Sequence, residues 1–212
     1  MEFTNLVSFL CGLLSQCRDE KMAMDYLLFW TRFAAAATVN DGHASTTYRQ
    51  CFPLEYLKDP MKETIWINIE NCADLIKREQ IKVSTVPFSR DDYYYTDMSK
   101  EKGFRRHYNK WHISKHPVIA IFFPCIASDG RLKHYAIVEG NHRITSAELN
   151  HKSINVSVIK TILLPPDMFE DSMSWLMYLA IANFYEIVHR PLGRTSYDQI
   201  EAHIKKYHTE LD

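Results

Sequence analysis

Residues 135–159 read YAIVEGNHRITSAELNHKSINVSVI, and this stretch predicts a strand, a tight turn, a helix and a second strand. Tyr135–Val138 is largely apolar and ends abruptly at a polar turn, as is typical of a buried strand. Residues 142–150 carry apolar side chains at helical spacing, and residues 154–158 alternate apolar and polar side chains as a strand does. The other predicted elements lie on either side of this strand–turn–helix–strand unit.

The turn between the first strand and the helix contains Glu139, Gly140, Asn141, His142 and Arg143. The first amides of a helix lack partners and favour an anion such as phosphate, and a glycine lets the backbone approach such a ligand. The guanidinium of Arg143 can fork onto phosphate oxygens, and His142 can donate, accept or carry a proton. Glu139 can orient a metal, a water or a hydroxyl. An ordinary turn with Asn141 as N-cap and solvated charges fits the spacing equally well.

The run from Glu139 to Arg143, followed by Ala147 and the strand INVSVI, resembles the signature of the ParB/sulfiredoxin superfamily. The resemblance spans about residues 117–159. It implies a nucleoside triphosphate, ATP or CTP, held at the glycine turn. The activities implied include nucleotide-switched DNA binding, nuclease activity, phosphoryl transfer and sulfinic acid repair.

Two departures from the family pattern reduce the number of activities that the resemblance implies. Sulfiredoxins place a reactive cysteine between the glycine and the histidine, where this chain has Asn141, which argues against sulfinic acid repair. Partition proteins usually carry a Gly-Glu-Arg-Arg run, of which Arg143 alone remains here as a fixed cation. An acid before a His-Arg pair is closer to the kinase-like and nuclease-like branches.

The resemblance also assigns roles within the turn. Glu139 and His142 are the expected catalytic residues, and Glu139 is the expected ligand of Mg²⁺, which phosphoryl chemistry usually requires. The expected phosphate or nucleotide contacts are Gly140, Asn141, His142, Arg143 and Thr145.

A basic segment precedes the main stretch. Residues 99–115 hold six basic residues against one acid, and Phe104, Tyr108 and Trp111 fall on one face of a predicted helix that starts near Ser99. Cations with neighbouring aromatic rings can bind nucleic acid, and Arg105, Arg106 and Lys110 are the candidate contacts to nucleic acid or phosphate. A solvated amphipathic helix with its aromatic side chains in the core is the competing interpretation.

Composition describes an ordinary globular protein. The formal net charge of −1 removes any global attraction to nucleic acid, so such binding requires a local patch. Five cysteines without a CxxC pair favour free thiols and a reducing cytoplasm over a zinc site or a disulfide framework. The apolar N-terminal stretch has Glu2 in place of a basic region and is too short to span a bilayer, so we expect no membrane partner.

The expected fold class is α+β, a small mixed sheet of the ParB/sulfiredoxin type flanked by N- and C-terminal helices. Residues 1–40 form the N-terminal helical segment, predicted as helices over about 3–16 and 19–38. Residues 60–164 form the sheet domain, with strands predicted at 64–70, 81–86 and 118–126 and a hairpin turn at 128–131. Residues 165–212 form a C-terminal segment with helices at 172–189 and from Thr195 or Ser196 to Tyr207.

Three functional hypotheses follow. The first is a nucleotide-dependent phosphotransferase or hydrolase, and the second is a nucleotide-regulated nucleic-acid-binding protein or nuclease that uses DNA or RNA. The third is an interaction protein with a degenerate pocket and a protein partner. The residues are compatible with an enzyme and with a binding protein.

Overall fold

The computed structural model describes residues 10–11, 14, 19–34, 49–53, 64–104, 106, 117–126, 130–189 and 195–207. In chain order the elements are α1 (Glu20–Ala34), β1 (Arg49–Pro53), β2 (Thr64–Asn68), α2 (Ile69–Lys77), β3 (Ser84–Pro87), β4 (Tyr93–Tyr94), β5 (Ile119–Ile126), β6 (Leu132–Glu139), α3 (Asn141–Leu149), β7 (Asn155–Ile159), a 3-10 turn (Pro166–Met168), α4 (Ser172–His189) and α5 (Tyr197–Tyr207). They fall into two compact units, one of Ile69–Thr161 and one of Met1–Asn68 with Ile162–Asp212.

The first unit is built on a mixed five-stranded sheet in the order β3-β7-β5-β6-β4. β5 and β6 form the antiparallel hairpin predicted from the sequence, β7 runs parallel to β5, and β3 is antiparallel to β7. The two residues of β4 pair parallel with β6. The α+β class and the small mixed sheet are therefore confirmed.

The core of this unit lies under α3. Ile144 of α3 packs in one buried cluster with Val118, Ala120 and Ile137 from the β5–β6 hairpin and with Val156 from β7. Each fully buried aliphatic side chain stabilises the fold by about 1.5–3 kcal/mol. The apolar positions that predicted a strand–helix–strand unit therefore fix the position of the turn at Gly140.

The second unit is largely helical. The aromatic side chains of α1 are buried at helical spacing, namely Tyr26, Phe29, Trp30 and Phe33, and the Tyr26 hydroxyl donates to the carbonyl of Ala180 in α4 at 2.8 Å. α4 is buried over most of its length, as its apolar sequence predicts. α5 begins with a capping box, because the Ser196 hydroxyl accepts from the Gln199 amide and the Gln199 side chain accepts from the Ser196 amide.

Two predictions of local structure are wrong, and a third is displaced, since the strand predicted over 81–86 lies at Ser84–Pro87. The described part of the basic segment, residues 99–104, forms turns, because the Asp97 carboxylate accepts from the Ser99 amide and Gly103 takes a φ of +94°. The strand predicted over 64–70 ends at Asn68, and α2 begins at Ile69, within the predicted strand. That strand pairs with β1 in a separate two-stranded sheet.

Several predictions fall partly or wholly outside the described residues. Of the helix predicted over 3–16, Leu10, Cys11 and Leu14 are described and are helical. Residues 35–38 of the next predicted helix, residues 127–129 of the hairpin turn, and Arg105 with residues 107–116 of the basic segment lie outside. Among the helices that the structure describes, none combines the length and apolar character needed to cross a membrane.

Candidate functional site

The predicted phosphate turn lies where β6 ends and α3 begins. Gly140 adopts φ +97° and ψ +19°, a conformation that favours glycine. A Cβ at this position would lie 2.8 Å from Val118 Cγ2 and 3.0 Å from Arg143 Nη2. The glycine is therefore explained by its backbone conformation and by the close packing of these neighbours, without a ligand.

Glu139 and Arg143 form an ion pair across the turn. Arg143 Nη2 donates to Glu139 Oε1 at 3.3 Å. The side chain of Glu139 is only 12% exposed and that of Arg143 only 10%. Because both charges are largely withdrawn from water, removing one partner would leave the other charge buried without it. A ligand that uses either group has to share it with this pair.

Asn141 and Thr145 are buried and bind the backbone of the segment that follows β4. Asn141 Oδ1 accepts from the Thr96 amide at 2.9 Å, and Thr145 Oγ1 accepts from the Met98 amide at 3.1 Å. These two side chains, predicted to contact phosphate, hold a neighbouring stretch of the protein.

We call residues 96–104 together with Arg106 the strap, because they lie along the polar face of α3. Near its middle the Glu101 carboxylate contacts His142 Nε2, and the ring of Phe104 stacks on the His142 ring with the centroids 6.3 Å apart. At its far end the carbonyl of Arg106 accepts from the Ser146 hydroxyl and from the Asn150 amide group. Side chains of α3, together with that of Asn150 directly after it, therefore contact the strap near its start, at its middle and at its end.

The start of α3 has no cap from a side chain. Within the described part of the chain, the amides of Asn141 and His142 make no hydrogen bond, so they can receive an acceptor. The side chain of His142 is 37% exposed at the same end. The arrangement can bind an anion through two amides and an imidazole, beside the Arg143 guanidinium.

Glu139 is the carboxylate at this turn predicted to hold Mg²⁺. No cluster of three His, Cys, Asp or Glu side chains suited to a metal occurs in the part of the chain that the structure describes. Mg²⁺ commonly binds through one or two carboxylates together with the phosphates of its substrate. Glu139 is the carboxylate that such an ion would find at the turn, and it is already paired with Arg143.

Cys72 is a buried thiol of α2 on which the charge of Glu139 acts. Burial, and then the charge of Glu139, raise the pKa of Cys72 to about 12. The thiol is consequently protonated at neutral pH and is not a nucleophile.

A cleft of about 590 Å³ opens beside α3, away from its start. One wall comes from the β3–β4 connection and the residues after β4, namely Pro87, Phe88, Arg90, Tyr95 and Asp97. The other wall comes from the second half of α3 and the loop to β7, namely Thr145, Glu148, Leu149 and residues 151–154. Of the described residues predicted for the site, Thr145 is the one that lines this cleft.

The predicted basic surface is described only at Arg106, since Arg105 and Lys110 lie outside the described residues. Arg106 is exposed, and its guanidinium lies 3.5 Å from the carbonyl of Leu149. The structure thus places one of the three candidate cations against the C-terminal end of α3, where a positive charge is favoured by the helix dipole.

Sequence reasoning missed Glu101 and the cleft. In the sequence Glu101 is the one acid of a basic segment, and no spacing rule links it to a histidine further along the chain. The cleft had a weak signal, since Thr145, Glu148 and Lys152 are spaced by three and four residues. Arg90 and Tyr95 reach the same place only through the fold of the sheet.

Comparisons with protein-family models, with curated proteins and with solved structures find no match to this chain. The resemblance to the ParB/sulfiredoxin superfamily therefore rests on the residues of the turn and on the strand–helix–strand pattern around it.

Proposed function

We propose that this protein is a nucleotide-binding enzyme of the ParB/sulfiredoxin type, which holds the phosphates of ATP or CTP at the start of α3 and transfers or hydrolyses a phosphoryl group. The phosphates would accept from the amides of Asn141 and His142, beside Arg143. His142 would stabilise developing negative charge, and Glu139 would act as the base or would hold Mg²⁺.

The observation that carries this proposal is the contact between Glu101 and His142. The chain itself brings a carboxylate to the one end of α3 that lacks a side-chain cap. A phosphate group offers the same chemistry as that carboxylate with more charge and more acceptor oxygens. The carboxylate of Glu101, which is 47% exposed, can therefore be displaced by a phosphate.

The test is Glu101→Gln, which keeps the size of the side chain and removes its charge. We expect ATP or CTP with Mg²⁺ to raise the melting temperature of the wild-type protein, because a ligand that binds only the folded state stabilises it. The variant should bind the same nucleotide about threefold more tightly, as the loss of a competing surface charge predicts. Isothermal titration calorimetry measures both affinities.

The matched control is Glu79→Gln, which removes an exposed acid at the end of α2, outside the strap and the turn. Its affinity should equal that of the wild type. The proposal fails if ATP, ADP, CTP and GTP all leave the melting temperature unchanged with and without Mg²⁺. Equal nucleotide affinities in Glu101→Gln and Glu79→Gln would show that Glu101 does not compete with the nucleotide.

A second candidate is a binding protein whose turn no longer takes a nucleotide. It is favoured by the internal use of Glu139, Asn141, Thr145 and Arg143, whose side chains all contact other parts of this chain. It predicts no nucleotide binding and a stable protein partner that copurifies with the chain. The nucleic-acid hypothesis stays a prediction from the sequence, with a steep salt dependence of binding as its test.

A further inference from the structure

The cleft beside α3 differs from the turn in how its polar groups are used. At the turn, Glu139, Asn141, Arg143 and Thr145 already have partners in the protein. In the cleft, Arg90, Glu148 and Lys152 form no ion pair with any described residue. Their charges remain available to a ligand.

Lys152 is kept apart from Glu148 by the backbone, although the two are four residues apart in sequence. α3 ends at Leu149 and closes with a Schellman motif, in which the Lys152 amide donates to the Ala147 carbonyl at 2.9 Å. His151 takes the left-handed conformation of this motif, with φ +51°. Lys152 therefore lies beyond the helix, and it does not form with Glu148 the ion pair that residues four apart in a helix can form.

Charges of both signs converge on one hydroxyl in this cleft. Burial raises the pKa of Tyr95, and the charge of Arg90 lowers it while those of Glu148 and Asp97 raise it. Arg90 comes from the β3–β4 connection, whereas Glu148 comes from α3 and Lys152 from the loop that follows it. Asp97 is already engaged by the Ser99 amide, so Glu148 is the acid that lacks a protein partner.

Apolar surface lies between these charges. The rings of Phe88 and Tyr95 meet edge to face with their centroids 5.7 Å apart, and both pack against the core cluster of the sheet unit. Leu149, at the end of α3, is 38% exposed and adds apolar surface to the same cleft. The volume of the cleft is that of pockets which bind small molecules.

We propose that this cleft binds a small zwitterion with an apolar body. Its anionic group lies between Arg90 and Lys152, its cationic group faces Glu148, and its apolar body lies against Phe88, Tyr95 and Leu149. This site is separate from the nucleotide turn and does not depend on the function proposed for it.

The experiment uses four probes that share one body and differ in charge. L-Phenylalanine carries both charges, 3-phenylpropionate only the carboxylate, phenethylamine only the ammonium, and N-acetyl-L-phenylalanine amide neither. We expect L-phenylalanine to bind to the full chain about tenfold more tightly than either singly charged probe, which corresponds to about 1.4 kcal/mol for one charge-assisted contact. The uncharged probe should bind most weakly of the four.

Two variants assign the charges. Arg90→Gln should weaken L-phenylalanine and 3-phenylpropionate about tenfold and leave phenethylamine unchanged. Glu148→Gln should weaken L-phenylalanine and phenethylamine and leave 3-phenylpropionate unchanged. Neither residue has an ion-pair partner in the described part of the chain, so both variants should retain the wild-type melting temperature.

The matched controls are Arg131→Gln and Glu79→Gln, two exposed charges that do not line the cleft. Both should bind the four probes as the wild type does. The proposal is overturned if L-phenylalanine does not bind, if all four probes bind equally, or if Arg90→Gln and Glu148→Gln behave like the controls. A failure here leaves the response to nucleotides and its dependence on Glu101 unaffected, so the two proposals are tested separately.

Discussion

At the scale of single residues, His151 and Glu79 hold a position that most helices give to glycine. Both follow a helix end closed by a Schellman motif, and their φ values are +51° and +57°. A residue with a Cβ costs roughly 1–2 kcal/mol in the left-handed region relative to its usual conformation. Two helix ends in the same unit therefore carry the same conformational cost.

We expect His151→Gly and Glu79→Gly each to raise the free energy of unfolding by about 0.5–1 kcal/mol, because the lower cost in the folded state outweighs the greater freedom of glycine in the unfolded chain. Urea unfolding followed by circular dichroism measures this change. Each variant is the control for the other, since His151 lines the cleft and Glu79 does not. A loss of stability in both variants would contradict the argument.

At the scale of elements, the strap depends on side chains of α3. The Met98 amide donates to Thr145 Oγ1, so Thr145→Val keeps the shape of the buried side chain and removes the acceptor. We expect a loss of stability of about 1–2 kcal/mol, since an amide is left without its partner. Hydrogen exchange should show faster exchange at Met98, with the strands of the sheet unaffected.

Thr31→Val is the matched control for this substitution. The Thr31 hydroxyl donates only locally, to the carbonyl of Leu28 on the exposed side of α1, so its removal should change stability little. If Thr145→Val leaves both the stability and the exchange of Met98 unchanged, the strap is not held by this contact.

The elements also show what periodicity can predict. The hairpin of β5 and β6, the helix α3 and the strand β7 follow from apolar patterns within short windows, and the structure confirms them. The turns at 99–104 could not be predicted in this way. They rest on polar contacts instead: the Asp97 carboxylate accepts from the Ser99 amide, and His142, far along the chain, contacts Glu101.

The candidate site also has features that the sequence predicts and features that it does not. The glycine turn was visible in the sequence because its residues are consecutive. That Arg143 is paired with Glu139 could be anticipated from their spacing of four residues, whereas the approach of Val118 to Gly140 could not. The cleft was not predicted, since Arg90 and Lys152, which both line it, belong to loops that are far apart in the chain.

At the scale of the whole molecule, stability should depend on pH through His203. Its Nε2 bonds to the Leu164 carbonyl at 2.9 Å, and burial lowers the pKa of His203 below its ordinary value of 6.5. As the pH falls through 6.5, the unfolded chain therefore binds a proton before the folded protein does. The free energy of unfolding should decrease over that range.

We expect the wild-type protein to lose more stability between pH 7.5 and pH 5.5 than His203→Gln does, as measured by urea unfolding at the two pH values. His151→Gln, which changes an exposed histidine in the other unit, should lose as much as the wild type. An equal loss in wild type and His203→Gln would exclude His203 as the source of the pH dependence.

The strand order β3-β7-β5-β6-β4 has a consequence for how the sheet unit assembles. β5 and β6 are close in sequence, so closing their loop costs little entropy, whereas β3 must find β7 across most of the unit. The hairpin can therefore form early, and β3, whose last residue Pro87 lines the cleft, joins late. A ligand in the cleft would stabilise the last step of folding and would secure the edge of the sheet that is assembled last.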